Sequence, residues 1–130
     1  MSPETPPGPA PLPDDARFDQ VALGRLRELD PDGRHGVVQR VLTAFETSLT
    51  RMLAQLAAER EGGDAGVVAS VAHTLKSSSA SVGAAVLSQA CADVERRLRS
   101  GEAGSLPDDI DRLLRAGEDA LATVRAMLRA

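Results

Sequence analysis

From Phe18 onward, apolar side chains return every three or four positions. Phe18, Ala22, Leu23, Leu26 and Leu29 make a short first series, which Asp30-Pro31-Asp32-Gly33 ends. A longer series follows, with Val38, Val41, Leu42, Phe45, Leu49, Met52, Leu53 and Leu56 on one stripe, and it runs out at Glu61-Gly62-Gly63. Asp64 has the chemistry of an N-cap, because its carboxylate can accept from the free N–H groups of a first turn. Behind it, Val68, Val71, Leu75 and Val82 share one side of a third helix, which Gly83 interrupts. Leu87, Cys91, Val94 and Leu98 form a narrow fourth stripe. The segment Gly101 to Gly104 reads as a turn. Ser105, with Pro107 just inside, opens a fifth helix whose stripe is Ile110, Leu113, Leu114, Gly117, Leu121, Val124 and Leu128.

No segment alternates with period two, and no hairpin dipeptide separates strand-like runs. The pattern predicts an all-α protein, with one short N-terminal helix leading into four longer ones. Loops of a few residues make neighbours antiparallel, so the expected packing is an antiparallel up-down four-helix bundle. Residues 1–14 stand apart. They hold six of the eight prolines, a density that excludes helix and predicts an extended, disordered tail. The bundle domain is expected over 15–130.

Composition narrows the picture. With 2% aromatic residues and no Trp or Tyr, the core must be built from Leu, Val and Ala, which suits packed helices. The net charge of −4 supplies no basic footprint for nucleic acid, and no aromatics are spare for stacking bases. One cysteine, Cys91, precludes an internal disulfide and fits a reducing compartment. No signal sequence and no membrane-length apolar run are visible, so a soluble cytoplasmic protein is expected. Fourteen of the 15 basic residues are arginine, which fits a GC-rich genome.

The fifteenth is Lys76, in "AHTLKSSSASVGA" (72–84), three residues after His73, one of two histidines. At about 100° per residue, Val68, Val71 and Leu75 lie roughly 140° to 200° around the helix from His73. The imidazole is therefore expected on the exposed side. Gly66, Ala69, Ser70, Lys76, Ser77 and Ala80 fall within about 60° of it, and all but the lysine are small. A solvated helix face usually carries Glu, Lys, Arg and Gln. A smooth face with one imidazole and one ammonium makes sense if another protein must approach the ring. A neutral imidazole has a nucleophilic lone pair and can form a covalent phosphoryl intermediate. Lys76 can offset part of the charge on the transferring group.

"AHTLKSSSASVGA" resembles the signature of histidine-containing phosphotransfer (HPt) domains, His-x-Leu-Lys-Gly-Ser followed by a Gly-Ala pair. The resemblance extends over roughly 17–128, through Phe-Asp at 18–19, the helix around Phe45, Gly-Asp at 63–64 and "CADVE" at 91–95. It implies His73 as phospho-acceptor, Lys76 as phosphoryl stabiliser, and Gly83 at a tight approach between the third and fourth helices. Ala69, Ser70, Ser77 and Ala80 then become the docking face. The implied partners are receiver domains of response regulators or of a hybrid histidine kinase, in bacterial multistep two-component signalling. The receiver would hold the Mg²⁺, and this chain no cofactor and no ATP. Ser77 departs from the usual glycine after the lysine, which bears on partner choice more than on chemistry.

Other readings have less to stand on. No glycine-rich phosphate loop of the kinase or Walker type is present. A sensor-kinase dimerisation helix usually follows its histidine with an acid and soon a proline; here Thr74 and Leu75 follow. His35, His73 and Cys91 are too few and too scattered for a metal, and no Gly-x-Ser-x-Gly elbow marks a hydrolase. His35 reads as a loop or helix-end residue and Cys91 as core. The alternative that remains is a helical adaptor that docks receivers or regulators by occupancy alone, with His73 a contact residue. A monomer is expected, since one bundle can bury all four stripes.

Overall fold

A computed structural model describes residues 18–101 and 105–129. The expected proline-rich tail, 1–14, lies outside the described residues. Five helices run in order: α1 (Gln20–Glu28), α2 (Val37–Ala58), α3 (Ala65–Val82), α4 (Ala85–Ser100) and α5 (Leu106–Arg129). No strand occurs among the described residues. Helices α2, α3, α4 and α5 pack in a ring, each against its chain neighbours, and α5 closes it against α2. The expected antiparallel up-down four-helix bundle is the observed fold, and α1 lies across one end against α2 and α3.

The four stripes meet in one core. Leu49, Leu56, Val68, Leu75, Leu87, Val94, Ile110, Leu113 and Val124 are fully buried. Burial of such side chains contributes on the order of 1.5–3 kcal/mol each, which is what holds helices of modest intrinsic propensity. Cys91 is buried among them. Gly117 lets α5 pack against α2, since a Cβ there would clash with a methyl of Leu53.

Two details of α1 depart from its pattern. Phe18 is buried at 4% exposure yet precedes the helix, because Asp19 caps it by accepting from Val21 and Ala22 N–H. Leu29 follows the last helical residue and is 67% exposed. A short helix that covers only one end of a bundle has too narrow a contact to bury its whole stripe.

The caps show how local chemistry sets the boundaries. Asp64 caps α3 as expected, accepting from Gly66 N–H at 2.7 Å. Gly36, before α2, has no side chain to offer. The buried carboxylate of Asp30 does that work from across the loop, accepting from His35 N–H at 2.9 Å and Val37 N–H at 3.2 Å. His35 itself lies exposed in that loop.

Gly83 governs the turn from α3 to α4. Its φ of +85° is left-handed, a region where side chains with a Cβ are strained. It ends α3 in a Schellman arrangement: Gly83 N–H donates to Ala80 C=O at 3.1 Å and Ala84 N–H to Ser79 C=O at 2.8 Å. The crowding lies elsewhere than between α3 and α4, where the resemblance puts it. A Cβ here would stand 2.9 Å from the carbonyl oxygen of Asp19, and Asp19 N–H donates to Gly83 C=O at 2.6 Å. This glycine is where α1 is pinned to the bundle. Gly83→Ala combines a left-handed strain with a backbone clash and is expected to cost about 2 kcal/mol or more in urea unfolding. A variant as stable as wild type would show that the contact does not constrain the fold.

Candidate functional site

α3 and α4 form the most extensive helix pair of the bundle, and the site lies along their exposed seam. Val68, Val71, Leu75 and Val82 of α3 point inward, so His73 is left outward, its side chain 58% exposed. Lys76 is on the same side, one turn further on, with 36% of its side chain exposed. Ser70, Ser77 and Ala80 are exposed around them, and Ala69 is half-buried.

Between them stands a residue that helical projection of α3 could not reveal. Glu95 comes from α4, and only 4% of its side chain is exposed. Its Oε2 lies 2.8 Å from His73 Nδ1, and its Oε1 accepts from Lys76 Nζ at 2.7 Å. Arg99, one turn along α4, reaches Oε2 at 2.6 Å. The lysine is therefore not the loose charge its sequence position suggests; it is tied to a carboxylate. A trace of Glu95 was present in the sequence. It is the acid of "CADVE", one turn after the core residue Cys91 and beside Val94, a place where an unpaired carboxylate would be costly.

The electrostatics follow from these partners. The hydrogen bond from Lys76 holds the Glu95 carboxyl below its ordinary value of 4.5 against the opposing effect of burial, with His73 and Arg99 adding to it. An ionised carboxylate only accepts, so the proton shared with His73 belongs on Nδ1. In the neutral ring the lone pair is then on Nε2, the nitrogen pointing away from Glu95. The neighbouring thiol takes no part. Burial, helped by the charge of Glu95, pushes Cys91 up to about 12, so it stays protonated.

Two open grooves flank the histidine. One, towards α4, is lined by Lys76, Glu95, Arg96 and Arg99. The other, towards α2, is lined by Arg51, Gln55, Ser70 and Thr74 over Met52 and Val71. A further shallow depression runs from Lys76 past Ala80, Ser88 and Gln89 to Asp19 and Gly83. The smooth surface thus includes α4 positions that no reading of α3 alone contains. Among the described residues, no group of three His, Cys, Asp or Glu side chains could hold a metal ion, and no helix is long and apolar enough to cross a membrane.

An exposed imidazole thus stands against a buried carboxylate, in the middle of one helix of a four-helix bundle. The Hpt domain family matches residues 40–129, and the chain belongs to that family, whose role is histidine phosphotransfer in phosphorelay signalling. Among solved structures, the chain is similar to the histidine-containing phosphotransfer protein B (HptB) of Pseudomonas aeruginosa PAO1. The two are 27% identical, with a TM-score of 0.69 over 87% of this chain and 91% of that one. A rice protein assigned to the same class shares the fold, with a TM-score of 0.73 at 22% identity, over 88% of this chain and 81% of that one. No curated protein sequence matches the chain at a significant level.

Glu95→Gln tests the network. In long-range proton–nitrogen NMR spectra, wild-type His73 is expected in the Nδ1–H form, and the variant is expected to shift towards Nε2–H. An unchanged tautomer would mean that Glu95 does not orient the ring. The pH dependence has a definite sign. Ionised Glu95 contributes stability above pH 4.5, and that contribution is lost as pH falls towards its lowered pKa. The melting-temperature gap between wild type and Glu95→Gln should therefore be widest near neutrality and narrow in acid.

Proposed function

We propose that His73 is the phospho-acceptor of this chain, taking a phosphoryl group from a receiver-domain aspartate and passing it to another. The observation that carries the reading is the Glu95 carboxylate, 2.8 Å from His73 Nδ1, which leaves Nε2 as the exposed nucleophile. In the forward step the Nε2 lone pair attacks phosphorus. A P–N bond forms, the bond from phosphorus to the aspartyl oxygen breaks, and the aspartate leaves as a carboxylate. No proton need move. Nδ1 keeps its hydrogen, and the positive charge that develops on the ring faces Glu95. The reverse of the same step delivers the group to the next receiver.

Lys76 is within one turn of the ring and can swing from Glu95 to a phosphoryl oxygen, trading one anion for another. Ser70, Ser77 and Ala80, with the half-buried Ala69, keep the approach low enough for a folded partner to bring its aspartate to the imidazole. Phosphate and Mg²⁺ enter with that receiver, and the domain acts as a carrier with no ATP site of its own. A monomer in the cytoplasm is the setting this reading supposes.

The test is transfer from phosphorylated receivers. Wild type is expected to take up acid-labile, alkali-stable label. His73→Gln should take up none while melting close to wild type, because the glutamine amide can still donate to Glu95. Receivers that bind wild type without labelling it would leave only an adaptor role. Lys76→Ala is expected to slow transfer about tenfold; equal rates would make the lysine incidental.

A further inference from the structure

The groove between α2 and α3 is distinctive in its charge. Its floor is apolar, formed by the buried side chains of Met52 and Val71, and its walls are Gln55, Ser70 and Thr74. Arg51 is its one charged lining residue and is exposed. No acid lines the groove with it. α3 contains neither Asp nor Glu. The single acid of α2, Glu46, accepts from Arg125 of α5 at 2.9 Å.

The cations on the other side of His73 are already engaged. Lys76 and Arg99 hold Glu95, and Arg96 stands 3.6 Å from Asp93. Arg51 forms no ion pair among the described residues. An open groove beside the reacting histidine thus presents a free guanidinium, in a protein whose net charge is −4. A guanidinium is suited to two parallel hydrogen bonds with a carboxylate.

We propose that Arg51 is a specificity-determining residue: it receives a carboxylate on the rim of the receiver's phosphorylation site, which makes the α2–α3 groove the second side of the docking surface. The inference rests on the phosphotransfer reading, since that reading supplies the partner. In a receiver the aspartyl phosphate and the carboxylates that ligate Mg²⁺ together carry more negative charge than one divalent ion offsets, so the surface around them is acidic. Thr74, adjacent to His73 in the chain, lines the groove, so a receiver seated over the imidazole lies over Arg51's groove as well. Attraction between the two rims orients the encounter and selects among receivers of differing rim charge.

The experiment uses the full chain and purified receivers from the same genome, phosphorylated with acetyl phosphate. Initial transfer rates are measured against receiver concentration at about 50 mM and about 400 mM NaCl. Arg51→Glu is expected to raise the half-saturating receiver concentration about tenfold at low salt, with the gap shrinking at high salt. Arg51→Lys should recover most of the loss. Arg129→Glu, which changes net charge equally at the end of α5, should match wild type. Transfer by wild type with Arg51→Glu within twofold of it at low salt would overturn the inference and leave phosphotransfer standing. Wild type that takes no label from any receiver, nor from phosphoramidate, would remove the phosphotransfer reading and the inference together.

Discussion

A carboxylate buried at a helix seam has to be paired, and the way Glu95 is paired organises the whole site. Desolvating its charge without partners would cost several kcal/mol. Three donors meet that demand: His73 and Lys76 from α3, and Arg99 from α4 itself. Two of the three bonds cross between helices. The network therefore fixes the register of α3 against α4 while it sets the orientation of the imidazole. Helix register and ring orientation depend here on the same oxygens. The ring is held through Nδ1, and Nε2 points away from Glu95.

The rest of the bundle supports that arrangement. The hydrophobic stripe of α3 determines which way His73 faces, since Val68, Val71 and Leu75 can be buried only with the histidine outside. The one-turn spacing from His73 to Lys76 and the i, i+4 spacing from Glu95 to Arg99 bring all four groups to a single level. At the end of the hairpin, Gly83 lets α3 stop within one residue and bonds directly to the start of α1. That bond places Asp19 and α1 at the edge of the same surface, which thereby spans three helices.

Smooth and charged regions occupy different parts of the surface. Small side chains around His73 permit close approach but give little binding energy and no direction. Direction has to come from charge further out, because Coulombic attraction acts over several ångströms while packing acts only on contact. With Lys76, Arg96 and Arg99 occupied on the α4 side, the α2 side is where an unspent cation remains.

Much of this was legible in the sequence. The period of apolar residues determines five helices, the face on which His73 stands, and the Asp64 cap, because these depend on neighbours within a turn or two. Loop length determines the up-down order for the same reason, and the phosphotransfer motif is likewise local to one helix. What the tertiary structure decided are the contacts between segments far apart in the chain. Glu95 is 22 residues from His73. No periodicity within α3 can show that it supplies the acceptor, or that Lys76 is held rather than free. Asp30 capping α2 across a loop, Gly83 meeting Asp19, and Arg51 opening on a groove walled by α3 belong to the same kind. In each, the partner is chosen by how two helices pack, and packing is set by the summed burial of the core rather than by any local pattern.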